Sequence, residues 1–518
     1  MSRQPVSASR GAARGEKPRG RLAIVLHTHM PYVEGFGTWP FGEEWLWEAM
    51  ASCYLPLLEL LERGAPLTLS LTPVLCDQLE APGVAERFTR FVGEVRRRTH
   101  EEDTLGLRRG GHETLARELE RSWQDYERAR RSFERRGGDL LGALAPHAQW
   151  TSAATHAVLP LLASDACARL QIETGIAAHV DRFARRDRTR TPADLASAPA
   201  SDAPVAGPPG WGGGFWLPEC AHAPELEPLL ARAGVRSTCV ELTRRLGLGA
   251  REHLRPLLGD GDVVLFGIDR ATVSLVWSDT GYPADGAYRD YHRHTTHHHN
   301  PWRNDGGEYD HDLAQARARE HAADFVTRTR ARLRRDGEGQ PGGGLAVCAL
   351  DTELLGHWWY EGLSWLGAVV EECTRQGLEL VRLDDVREVA EPAPVSSFQS
   401  PVHSGGEASS WGANGDLSTW SGPAVAELAF ATRAAELRTI QAAESGLAGS
   451  AAVRELLALQ SSDWAFMVSR GLAAPYARER FDGHLAAHAR ALEHGPQADV
   501  EGLRKLAAYA EPAALLAP

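Results

Sequence analysis

Seven short apolar runs recur along the chain, each closing on polar or charged residues: RLAIVLHTHMP, LTLSLTP, HAQWTSAATHAVLPLL, GGFWLPECAH, GVRSTCVE, DVVLFGID and GLAVCALDTE. Helical patterns separate most of them, among them EEWLWEAMASCYLPLLELLER, PELEPLLARAG, HDLAQARAREHAADFVTRTRARL and LSWLGAVVEECTRQG. Strand and helix alternating at this spacing predict parallel βα units. About seven such units, with no GxGxxG after any strand, favour a barrel-like α/β fold over an open dinucleotide-binding sheet.

The pattern breaks in four places. Residues 1–20 are polar and basic, with no apolar segment of signal-peptide type, and are expected to be a disordered tail. Residues 77–145 are Arg/Glu-rich and helical in period, which predicts a helical insertion within a catalytic unit spanning 21–390. Residues 391–410 (EPAPVSSFQSPVHSGGEASS) look like a linker, and 411–518 read as a C-terminal all-helical domain. Two further stretches, 186–213 and the His-rich 291–308, look like solvated surface loops.

Composition excludes several classes. With 56 Lys+Arg against 69 Asp+Glu, the net charge of −13 disfavours nucleic acid and anionic membranes as partners. No apolar run approaches the ~20 residues of a membrane span. The 7 Cys are scattered singly without any CxxC, which suits buried free thiols in a reducing compartment, so a cytoplasmic protein is expected.

Strand C-termini carry the chemistry in α/β barrels. Here they hold His27-Thr28-His29, Thr155-His156, Trp216-Leu217-Pro218-Glu219-Cys220 and Asp351-Thr352-Glu353, with Ser410-Trp411-Gly412 and Trp420 at the domain junction. Two carboxylates at the ends of different strands can act as nucleophile and acid/base on a glycosidic bond. Trp is also over-used, 15 against 10 Tyr and 13 Phe, and Trp39, Trp45, Trp47, Trp216, Trp277, Trp358, Trp359, Trp411 and Trp420 lie in or beside these motifs. Indole faces stack on the C–H faces of sugar rings, so the combination points to a glucan cleft.

HTHMPYVEGFGTWPFGEEWLWEA, TSAATHAVLPLL, GGFWLPECAH, LDTELLGHWWYEG, SSWGANGDLSTW and LQSSDWAFM resemble, in order, the motifs of glycoside hydrolase family 57, in particular its α-1,4-glucan branching enzymes. The resemblance covers nearly the whole chain beyond the tail. It implies an incomplete (β/α)7 barrel with a helical insertion and a C-terminal helical domain that helps close the cleft. It also implies retaining transglycosylation on an α-1,4-glucan, with no metal and no cofactor. Glu219 would be the nucleophile and Asp351 the acid/base. His27, His29, Trp39, His156, Trp277, Trp411, Trp420 and Asp463 would line the glucan site. The chain departs from the pattern after the nucleophile, where CAHAPELEPLLARAG holds no Tyr-bearing loop, and at Ile268-Asp269 and Gly281-Tyr282-Pro283-Ala284-Asp285. These departures bear on branching and not on the glycosidic chemistry, so an α-amylase or 4-α-glucanotransferase of the same family is the alternative.

Blander accounts exist for single residues. Glu219 could be half of a salt bridge, and Asp351 a helix N-cap with Glu353 in a capping box. Capping explains the Asp but not Trp358 and Trp359 behind it, and Glu353 is the competing carboxylate. His27 and His29, joined by His156, His222 and Asp351, could instead build the metal site of an amidohydrolase-type enzyme. A catalytically silent glucan-binding protein is the remaining alternative. Trp464 and Phe466 are expected in the core, and Trp123 in packing.

Overall fold

Each of the seven apolar runs forms a strand shorter than the run itself, β1 (Arg21–Thr28), β2 (Thr68–Leu71), β3 (Trp150–Ser152), β4 (Gly214–Trp216), β5 (Ser237–Val240), β7 (Val264–Gly267) and β8 (Leu345–Asp351), and a two-residue β6 (Leu257–Leu258) lies between the fifth and sixth runs. The structure, a computed structural model, describes residues 20–35, 42–186, 211–388, 391–394, 408–499 and 503–516. The expected tail and most of the 186–213 and 391–410 segments therefore lie outside the described residues, as does Trp39.

The strands join one curled sheet in the order β6-β7-β5-β4-β3-β2-β1-β8. Seven of them run parallel, and the two-residue β6 is antiparallel to β7. Two further short strands, β9 (Glu379–Leu380) and β10 (Ala393–Pro394), flank β1 and β6. β7 and β8 do not form a ladder. At that seam the Asp269 N–H donates to Val347 O (2.9 Å), and Arg332, from the helix His311–Asp336, reaches the fully buried Asp269 carboxylate at 3.3 Å. The result is the unclosed seven-stranded barrel that the alternation predicts.

Register places the chemistry. His27 in β1 is level with Ser70 in β2 on one side and Asp351 in β8 on the other, and Ser152 in β3 is level with Trp216 in β4. Gly214 is required beside Trp150: a Cβ there would sit 2.1 Å from the indole. Burial on both faces explains why β1 and β8 read as unbroken apolar runs rather than alternating ones.

Between β2 and β3 the chain is helical, through Val84–Arg90, Phe91–Arg96, Arg97–Arg109 and Glu113–Arg135. This segment docks by buried contacts, with Arg96 on Glu48 (2.8 Å), Tyr126 OH donating to Glu48 (2.6 Å), and Trp123 packed on the main core. The His-rich segment is solvated only in part, with Tyr291 to His294 exposed as expected and His299 buried. His299 is 4% exposed, its ring 3.8 Å from that of His100, and Asp103 accepts from His297 Nδ1 at 2.8 Å. Partners from the insertion, about 190–200 residues away in sequence, anchor this inner part.

The longer helices described after residue 411 are Ala426–Glu444, Ser450–Leu459, Ser462–Arg470 and Ala474–His494. Their core of Leu456, Leu457, Trp464 and Phe481 continues into Tyr32, Val74 and Leu170 on the barrel side. Phe466, expected in the core, is 38% exposed. Among the described residues no helix is long and apolar enough to cross a membrane.

Candidate active site

β1, β3, β4 and β8 deliver His27, His29, His156, Glu219 and Asp351 to the same end of the barrel, and the C-terminal helices cover them. Glu219 and Cys220 follow Pro218 with φ of 60° and 48°, and His156 has φ 61°. A left-handed non-glycine backbone costs of order 1–3 kcal/mol per residue and persists only where surroundings enforce it. The enforcing contacts are present. The Trp411 N–H donates to Glu219 O (3.1 Å), and the Ser462 N–H to His156 O (3.0 Å).

Both oxygens of Glu219 are engaged. Trp411 Nε1 donates to Oε2 at 2.9 Å, and Ser462 Oγ donates to Oε1 at 2.7 Å. Burial raises this carboxyl above its ordinary value, while the two donors and His29 oppose the rise. Asp351 lies in a different environment. Among the described residues no side chain or backbone donor meets its carboxyl, and burial, reinforced by the charges of Glu353 and Glu219, pushes it well above the carboxylate range. Glu353, the competing acid, accepts from Tyr54 OH (2.7 Å) and from His29 N–H (3.2 Å), and burial lifts it to about 7.

The three histidines stack as a layer. His29 and His156 have ring centroids 4.0 Å apart, and His27 lies 4.6 Å from Trp216 at an interplanar angle of 12°. His27 Nε2 and His156 Nε2 are 2.9 Å apart. Burial, with the neighbouring imidazoles adding to it, holds both well below the usual histidine value. Burial also pulls on His29, but Asp463, whose Oδ1 lies 2.9 Å from His29 Nε2, with Glu353 and Glu219 behind it, outweighs that and raises it.

The sites expected to line the glucan divide by exposure. Trp277 is 44% exposed, its ring 6.1 Å from that of Trp358, and offers a free face. Trp411 is half-buried. Trp420 is 3% exposed against Val158 and Ala221, which leaves no face for a sugar, and His27 (1%) and His156 (3%) lie beneath the others. These three support the site from behind. His222, offered as a metal ligand, is elsewhere: its Nε2 pairs with Glu227 at 2.8 Å. The donor atoms of His29, His156 and Asp463 fall within 4.8 Å of one another, without His27 or Asp351, and hydrogen bonds already join them to protein partners. Reading the sequence missed Ser462, Ser70 and Tyr54. Ser462 had one signal, its place beside Asp463 in LQSSDWAFM.

A paired, strand-end arrangement of one hydrogen-bonded and one donor-free carboxyl suits glycosidic bond chemistry. Residues 211–396 match Glycosyl hydrolase family 57, and residues 427–510 match the C-terminal region described for 1,4-alpha-glucan branching enzymes. A 1,4-alpha-glucan branching enzyme of Thermococcus kodakarensis is 31% identical over 523 residues, covering 89% of this chain and 72% of that protein. The chain belongs to glycoside hydrolase family 57. The crystal structure of a branching enzyme of this family from Pyrococcus horikoshii superposes on the family 57 chain with a TM-score of 0.80 and 30% identity, covering 96% of this chain and 97% of that one. The α-amylase AmyC of Thermotoga maritima shares the fold at a TM-score of 0.74 and 23% identity, over 96% and 97% of the two chains.

Proposed function

We propose that this family 57 enzyme is a 1,4-α-glucan branching enzyme acting by retaining double displacement, with Glu219 as nucleophile and Asp351 as acid/base. The observation that carries the proposal is the contrast between the two carboxyls. Two donors favour the ionised form of Glu219 against the pull of burial, whereas the donor-free, charge-crowded Asp351 is pushed toward its protonated form. Relatives named for branching, over most of the chain, support the choice of reaction.

In the first step a Glu219 oxygen bonds to the anomeric carbon, the C1–O4 bond breaks, and the Asp351 proton goes to the departing O4. In the second, Asp351, now ionised, takes the proton of an acceptor 6-hydroxyl. That oxygen attacks C1 and frees Glu219, leaving an α-1,6 link. The geometry required is a carboxyl separation of about 5–5.5 Å. Exposed Trp277 and half-buried Trp411 supply stacking surfaces for the glucan. The 7 cysteines are all free and buried, which supports a reducing, cytoplasmic setting.

A second reading has a specific observation behind it. After Cys220 the chain runs through Ala221–Ala223 directly into the turn Pro224–Leu226 and the helix Glu227–Arg232, so no lid-forming loop follows the nucleophile. Water would then compete with the acceptor, and hydrolysis or disproportionation would dominate. Linkage analysis of amylose treated with purified enzyme separates these readings. New α-1,6 links are expected, with none from Glu219→Gln and no loss of activity to a chelator. Reducing ends alone would make the enzyme an amylase, and redistributed linear chains a 4-α-glucanotransferase.

A further inference from the structure

A continuous line of hydrogen bonds runs from the barrel interior to the nucleophile. Ser70 Oγ lies 3.3 Å from His27 Nδ1, and His27 Nε2 lies 2.9 Å from His156 Nε2. His156 Nδ1 lies 2.8 Å from Ser462 Oγ, which is 2.7 Å from Glu219 Oε1. All five residues are at most 9% exposed.

The line has one consistent polarity. A carboxylate only accepts, so the single Ser462 proton points to Glu219. The Ser462 oxygen must then accept from His156 Nδ1–H. His156 is held neutral by burial, so its Nε2 is bare and accepts from His27 Nε2–H. His27, also neutral, is left with a bare Nδ1 that takes the Ser70 proton. With Glu219 ionised, the reversed relay leaves two lone pairs face to face between Ser462 and Glu219 at 2.7 Å, and turning one ring alone sets two donors or two lone pairs together at a neighbouring link.

We propose that Ser462 is a positioning residue for Glu219, the donor end of a one-directional relay Ser70–His27–His156–Ser462 that fixes the ionised nucleophile for attack. The proposal rests on Glu219 being the nucleophile. It gives the buried histidines a task other than contacting glucan: they set the direction in which the serine hydroxyl points. The other groups facing Glu219 are His29 at the end of β1, Asp351 from the end of β8, Asp463 and Trp411 from the C-terminal side, and Cys220 beside it. His29 takes its partners from Thr72 and Asp463, so changing Ser462 removes neither.

The test compares Ser462→Ala, Ser462→Cys and the parent enzyme on amylose across pH, with Glu219→Gln alongside. A hydrogen bond to an ionised group that is lost in the variant is expected to lower kcat about 10–100-fold with KM within twofold. The acid limb of the pH profile should also move to higher pH, because Glu219 loses a donor that favours its charged form. Ser462→Cys fills the same space with a weak donor and is expected to reproduce both changes, so the test survives if the alanine variant does not fold. A kcat within threefold of the parent overturns the proposal. So does a fall in kcat with the acid limb unmoved, since that is what a merely structural serine gives. Glu219→Gln reads out separately: retained turnover there removes the nucleophile itself, whatever Ser462 does.

Discussion

Glu353 stands two residues beyond Asp351, its carboxyl lifted to about 7 by burial, and its charge is second only to burial in holding Asp351 protonated. Asp351 works in the acid form, so turnover fails as pH rises through its pKa. Glu353→Gln removes the neighbouring charge while keeping an oxygen for Tyr54 and His29, so the alkaline limb of the rate profile should shift to lower pH. An unmoved limb would mean that burial alone tunes Asp351. Stability gives the same residue a second readout. A carboxyl raised in the folded chain contributes fully below its unfolded value near 4.3, and that contribution is lost as pH rises through about 7. The melting-temperature advantage of Glu353→Gln over the parent should therefore grow between pH 5 and 8. Residues of this kind were partly legible. A carboxylate ending an apolar strand is costly enough to announce itself, as Glu219 and Asp351 do. Ser462 and Tyr54 carry no such cost in a sequence, because a hydroxyl acquires its role only from what the fold brings beside it.

At the scale of elements, the strands and the long amphipathic helices were readable because periodicity is local. The His-rich segment was not. Its burial depends on Asp103 and Arg96, which meet it only after the insertion folds back onto the barrel. The segment also reaches toward the cleft. Tyr291 lies 5.7 Å from His357, His357 lies 6.0 Å from Trp358, and Trp358 lies 6.1 Å from Trp277. With no loop after the nucleophile, this strap is the element we expect to take part in keeping water from the glycosyl-enzyme. Asp103→Ala removes the carboxylate that accepts from Thr295 and His297, so the ratio of new α-1,6 links to new reducing ends should fall while total bond cleavage persists. A constant ratio would assign the strap a structural part only.

For the molecule as a whole, the helices after residue 411 share their core with the barrel, so the two should melt together. Leu456, fully buried in that core, gives the measurement: Leu456→Ala should cost about 2–5 kcal/mol and lower a single transition seen alike by tryptophan fluorescence and far-UV circular dichroism. Early loss of helix with the fluorescence unchanged would show the C-terminal helices to be a separate folding unit. The core shared across this interface was not legible in the sequence, since Tyr32 and Leu170 look there like ordinary barrel residues. The same interface has a consequence for the order in which the enzyme is made. Glu219 and the serine that holds it are 243 positions apart. At about 5–20 residues per second, a ribosome exposes the carboxylate roughly 12–50 s before its clamp has been synthesised. A chain caught in that interval carries its attacking group but neither Ser462 nor Asp463, so it is expected to cut the polymer around it about 10–100-fold more slowly, or slower still. Full catalytic rate is therefore expected only once Ser462 and Asp463 have been translated and have docked on Glu219 and His29.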